Sequence, residues 1–111
     1  MKDRPGEPFG LRESDLEKIR TIFCAHPGVQ RVVVYGSRAK GTHRPGSDID
    51  LTLFGPDLNL AELLTIDLEL DELLLPYRID LSIHGQIASR ELLEHIERVG
   101  KVLYERGRTA C

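Results

Sequence analysis

The hydrophobic positions of this chain follow a helical period in some stretches and a strand period in others. From Ser14 to about Ala25, "SDLEKIRTIFCA" sets Leu16, Ile19, Ile22 and Phe23 on one face at helical spacing, with Ser14 and Glu17 spaced as a capping box. "HPG" at His26 to Gly28 breaks that helix, and "QRVVVYG" then gives three consecutive valines and Tyr35, the β-branched run of a buried strand. After a polar loop rich in Gly and Pro, "DIDLTLF" alternates strictly. Asp48, Asp50 and Thr52 fall on one side, and Ile49, Leu51 and Leu53 on the other.

"NLAELLTIDLELDELLLPY" opens with Asn59 and Glu62 in a capping arrangement, is dense in Leu and Glu, and stops at Pro76, which predicts a second helix. A third strand follows in "RIDLSI", with Arg78, Asp80 and Ser82 against Ile79, Leu81 and Ile83. The last helix opens at Ser89 and carries Leu92, Leu93, Ile96 and Val99. Gly100 leaves two continuations open for "KVLYE", more helix or a short strand. The order predicts an α/β (α+β) fold, a small mixed β-sheet flanked by helices, in one domain over residues 1–111. Residues 1–10 and 106–111 are expected to fray.

Composition narrows the function classes. With 41% hydrophobic and 30% charged residues in 111, the chain has the balance of a globular domain, and it contains no apolar run long enough to span a bilayer. "MKDRPGEPFG" lacks the apolar core of a signal peptide, so a cytoplasmic location is expected. A net charge of −3 and only six aromatics (Tyr 3, Phe 3, Trp 0) give no general attraction or stacking platform for nucleic acid. Cys24 and Cys111 form no CxxC pair and read as a core thiol and a tail thiol, with neither a disulfide framework nor a zinc site expected.

The chemistry concentrates in "VYGSRAKGTHRPGSDIDLTLFG", Val34 to Gly55. Two aspartates at i and i+2 on a strand point to the same face, so Asp48 and Asp50 stand together, and Asp80 has the equivalent phase on the next strand. Three carboxylates this close repel one another and raise each other's pKa, an imbalance that a divalent cation reverses. Oxygen ligands with spare positions suit Mg²⁺, or Mn²⁺, sharing its coordination with substrate phosphates. Gly36 allows close backbone approach to an anion, and Ser37 adds a hydroxyl and an N–H at the start of a short helix. Arg38 and Lys40 add cationic donors, and Arg44 lies in the loop before the aspartates. His43 and His84 read as solvated loop histidines without a role. The leucines from Leu60 to Leu75 exceed what one helix buries and suggest a partner-facing surface beside the core.

Gly36-Ser37, a ten-residue spacer, Asp48-Ile49-Asp50-Leu51 and the later strand Asp80 together resemble the DNA polymerase β-like nucleotidyltransferase superfamily. The resemblance is strong from Val32 to about Ile83, and "GSRAKG" with "GSDIDL" in so short a chain is most similar to the minimal nucleotidyltransferase (MNT) domains that pair with HEPN-domain proteins. It implies that Gly36 and Ser37 hold the triphosphate, with Arg38 and Lys40 beside it. It also implies that Asp48, Asp50 and Asp80 bind two Mg²⁺ ions and carry the catalysis. ATP would be the substrate, AMP the transferred group, and a tyrosine of a HEPN toxin the acceptor, so that the chain acts as an antitoxin. Lys40 departs from the arginine common in MNT members, keeping the charge but losing the fork. Two alternatives stand beside this reading: an antitoxin that works by occlusion without catalysis, and transfer to a small molecule of the aminoglycoside kind. Neither a membrane nor direct nucleic-acid contact is implied, and a homo- or hetero-oligomer is compatible with all three.

Overall fold

A computed structural model describes residues 8–44 and 46–109. Helix α1 (Glu13–Cys24) leads into strand β1 (Arg31–Tyr35), and a single helical turn, α2 (Ser37–Lys40), precedes β2 (Ile49–Phe54). Helix α3 (Leu60–Asp71), β3 (Ile79–Ile83), α4 (Arg90–Val99) and β4 (Lys101–Glu105) complete the order. The four strands make one sheet, β3-β2-β1-β4. β1 runs antiparallel to β2 and β4, while β2 and β3 run parallel, a pairing that needs the long crossover through α3.

Register explains the two faces. Val32 and Val34 pair with Leu53 and Leu51, which pair in turn with Ile83 and Leu81, so one face of the sheet is apolar throughout. That face meets Leu16, Ile19 and Phe23 of α1 and Ile66 and Leu70 of α3 in the main core. The other face carries Val33 and Tyr35, Asp50 and Thr52, and Asp80 and Ser82. Helix α4 covers part of it, packing Ile96 with Leu92 and Val99 on Val33 and Tyr35. A second, smaller core thus fills the middle of the polar face and leaves its aspartate end open.

"KVLYE" is a strand. Gly100 leaves α4 in an extended conformation at a position where a Cβ would collide with the Ile96 carbonyl, and the chain turns directly into β4 without a loop. A bulge against β1 between Val32 and Val33 lets Leu103 and Tyr104 both be buried. The Asn59 and Ser89 caps form, Oδ1 of Asn59 accepting from the Glu62 N–H at 2.9 Å and Oγ of Ser89 from the Leu92 N–H at 3.2 Å. The Ser14 capping box does not, because α1 begins at Glu13 after an extended Arg12 and takes Ser14 into its first turn. Helix α3 ends at Asp71, earlier than Pro76 suggested, in a turn where Leu74 adopts φ +55°.

One further expectation changes. Cys24 is disulfide-bonded, which corrects its reading as a free core thiol; Cys111 lies outside the described residues. Residues 8–10 and 106–109 of the two ends make contacts with the rest of the fold. Phe9 packs on the core, the Arg106 N–H donates to the Gln30 carbonyl at 2.9 Å, and the Arg106 guanidinium reaches the His26 carbonyl at 3.1 Å. The outermost residues of both ends lie outside the described ones. Among the described residues no helix is long and apolar enough to cross a membrane.

Tyr104 is fully buried against Phe23, ring centroids 6.1 Å apart, and its hydroxyl has no hydrogen-bond partner among the described residues. A buried, unsatisfied hydroxyl costs stability. Tyr104→Phe is therefore expected to stabilise the fold by about 1 kcal/mol, read as a higher urea midpoint with an unchanged slope.

Candidate active site

The parallel register sets Asp50 directly opposite Asp80 on neighbouring strands, with both side chains on the α4 face. Asp48 lies just before β2 and two residues from Asp50, exposed like Asp80, while Asp50 is half-buried. Burial pushes the Asp50 carboxyl above its ordinary pKa, the charges of Asp80 and Asp48 push it further, and His95 partly offsets them. Register and chain proximity together bring the three aspartates to one end of the sheet. Tyr35, the β1 partner of Asp50, has its phenol pKa raised by burial and by Asp50 and Asp80, against a lowering hydrogen bond with Ser82.

Gly36 joins β1 to α2 at φ +75°, ψ −153°, a conformation essentially restricted to glycine. A Cβ there would run into the Asp50 carboxylate. The backbone of the Gly-Ser turn is thus held against the carboxylate corner, with Ser37 opening α2 beside it. Lys40 is exposed at the end of that turn, and Arg44 is exposed in the following loop.

Arg38 does different work from that expected. It is 3% exposed, and its guanidinium donates to the Ser47 carbonyl at 2.9 and 3.2 Å and to the Phe9 carbonyl at 2.8 Å while lying over the Tyr77 ring. These bonds make it a clamp on the peptide that leads into Asp48. His43 is buried beside Gly10, and His84 stacks on Phe54, at the opposite end of β2 from Asp50. Neither reaches the corner.

His95 does reach it. From α4 its Nε2 accepts the Gly36 N–H at 3.2 Å, which puts the ring proton on Nδ1, and its ring stands edge-on to Tyr35 at 6.2 Å. The sequence held the signal: His95 shares the helical face of Leu92, Ile96 and Val99, a polar side chain in an apolar stripe.

The donor set fits a divalent cation. All three groups are carboxylates, the charges of Asp80 and Asp48 raise the proton affinity of Asp50, and the backbone beside the Asp50 carboxylate is glycine. Among the described residues no group of three or more His, Cys, Asp or Glu side chains is already placed to hold a metal ion, so a cation here would start from fewer than three protein ligands. Mg²⁺ tolerates this, because it retains waters in its shell.

The sign of the pH dependence follows. An acid whose pKa is higher in the folded state binds its proton more tightly there. Stability therefore falls as pH rises from the ordinary aspartate range through the raised value. Asp50→Asn is expected to melt higher than wild type at neutral pH without metal, and the difference should shrink at acid pH. Mg²⁺ should raise the melting temperature of wild type and much less that of Asp50→Asn, by mass action on the folded state. Equal gains in both proteins would remove Asp50 from the metal site.

With this geometry in place, the family model described as polymerase beta nucleotidyltransferase matches residues 17–109. The chain belongs to the polymerase β nucleotidyltransferase family. Among solved structures, a toxin–antitoxin complex with AMP-PNP is similar at 25% identity and TM-score 0.67, over 84% of this chain and 75% of that one. An MNT antitoxin in complex with tri-AMPylated Shewanella oneidensis HEPN toxin is similar at 22% identity and TM-score 0.63, over 84% and 71%. A nucleotidyltransferase structure from Sulfolobus solfataricus shares the fold at 16% identity and TM-score 0.55, over 86% and 81%. No curated protein matches the sequence significantly. In this chain the parallel pairing of β2 and β3 is what sets Asp50 beside Asp80.

Proposed function

We propose that this chain transfers AMP from ATP to a hydroxyl of a HEPN-domain toxin, a tyrosine on the reading above, and acts as its antitoxin. The observation that carries this is the corner itself: Asp50 and Asp80 in register, Asp48 adjacent, and Gly36 pressed against the Asp50 carboxylate. The similarity to toxin–antitoxin structures, one with AMP-PNP and one with an AMPylated toxin, supports the choice of nucleotide and acceptor.

The acceptor oxygen attacks the α-phosphorus of ATP, the bond to the bridging oxygen breaks, and pyrophosphate leaves with its electron pair. The hydroxyl proton is released to Asp80, the exposed carboxylate at the rim. Gly36 and Ser37 hold the triphosphate, and since the Gly36 N–H is given to His95 in this structure, nucleotide entry requires that bond to be exchanged. Bound at Asp48, Asp50 and Asp80, Mg²⁺ would supply charge neutralisation at the phosphates. The remaining contribution is positioning.

Neutralisation of the toxin in growing cells separates catalysis from occlusion. Wild type should rescue growth while Asp50→Asn, expressed at the same level and still bound to the toxin, should not. Rescue by Asp50→Asn would mean that binding alone suffices and would overturn the catalytic reading.

A further inference from the structure

Helix α3 presents a ridge that the fold does not use. Leu60, Leu64 and Leu68 are 60%, 57% and 60% exposed at a spacing of four, which aligns them on one outward face. Leu74, just beyond the helix, is 88% exposed and sits at φ +55°, where a bulky side chain is strained. Between Gly55 and Pro76 there are six carboxylates, Asp57, Glu62, Asp67, Glu69, Asp71 and Glu72, and no Lys, Arg or His. Glu62 and Glu69 turn inward to hold His26, and the other four are exposed. An apolar ridge set among carboxylates therefore faces outward.

The ridge also lies beside the strand that carries Asp80. A groove of about 310 Å³ runs beside α3, lined by Leu63, Leu64, Asp67 and Asp71, and continues past Arg78 to Asp80 on β3, an edge strand. A molecule seated on the ridge therefore lies against the edge of the sheet that bears one aspartate of the site, although the Asp80 side chain is on the other face.

We infer that this groove and ridge are the docking surface for the acceptor protein, through a helix of the acceptor that carries apolar side chains flanked by Lys and Arg. A leucine row at this spacing is the kind of ridge that packs into the grooves of another helix. The uncompensated carboxylates select a basic flank and speed its approach. A second copy of this chain is a poor occupant, because a two-fold contact would set the acidic face against itself. An anionic lipid surface is repelled for the same reason. The inference rests on the function proposed above for its acceptor, and locates where that acceptor is gripped.

The test measures affinity by calorimetry between the purified chain and its HEPN-domain acceptor protein without nucleotide, alongside AMP transfer. Leu64→Glu/Leu68→Glu and Asp67→Lys/Asp71→Lys are each expected to weaken binding at least about tenfold. Both should leave the Mg²⁺-induced melting shift intact. Added salt should weaken the wild-type complex more than that of the lysine variant. Leu74→Gly relieves the strained backbone, so the free chain should melt higher while the complex weakens, an opposition that a purely structural role does not produce. Groove variants that bind and transfer like wild type overturn the docking surface while leaving the function standing. Groove-sensitive binding with no AMP transfer by wild type supports the surface and overturns the function. A wild-type homodimer split by Leu64→Glu, or no acceptor binding at all, also overturns the inference.

Discussion

Asp50→Ala is expected to lower AMP transfer about a thousandfold or more while the protein stays folded. Asp50 is the member of the corner with a neighbour on every side: Asp80 across the strand pair, Asp48 two residues back, and Gly36 against its carboxylate. Removing it takes away both a charge that would hold Mg²⁺ on the proposed function and the group against which the Gly-Ser turn is set. Lewis-acid stabilisation of phosphoryl charge is worth several kcal/mol, and about 4 kcal/mol corresponds to roughly a thousandfold. The fold should tolerate the change, because the metal-free site is a cluster of mutually repelling carboxylates. Steady-state transfer at saturating ATP, with a melting curve of the same sample, checks both halves.

Gly36→Ala should reach a comparable loss by another route. At φ +75° and ψ −153° any side chain strains the backbone, at a cost of about 1–3 kcal/mol. The added methyl must also displace the Asp50 carboxylate, since it would occupy the same space. Misplacing a reacting group by about 1 Å can cost roughly a hundredfold in rate, so transfer should fall at least that far even where the protein still folds. The pattern expected is a lower melting temperature together with a weakened Mg²⁺ response. A Gly36→Ala protein with wild-type transfer would show that the close approach to Asp50 is incidental.

The parts of this site carried by alternation were readable from the chain alone. Asp48, Asp50 and Asp80 share a phase because strands repeat every two residues, and the parallel register of β2 and β3 then sets Asp50 opposite Asp80. The contacts of Arg38 were not legible, because motif position says nothing of side-chain direction. Its guanidinium folds back onto the Ser47 and Phe9 carbonyls instead of facing the corner. His95 was missed because its contact with Gly36 spans 59 residues and depends on how α4 crosses the sheet. "KVLYE" stayed open because five residues of mixed character are decided by the vacant edge of β1, a tertiary fact. The buried Tyr104 hydroxyl has no sequence signature at all.

On the proposed function, the corner formed by Gly36, Asp48, Asp50 and Asp80 moves AMP onto a HEPN-domain protein. The most direct measurement incubates the purified chain and that protein with Mg²⁺ and α-labelled ATP, beside samples containing Asp48→Ala or a metal chelator, and resolves them on a gel. Label is expected on the acceptor with wild type and Mg²⁺, and none in the two controls. Label that persists with Asp48→Ala, or its absence from every lane while ATP is bound, would contradict it.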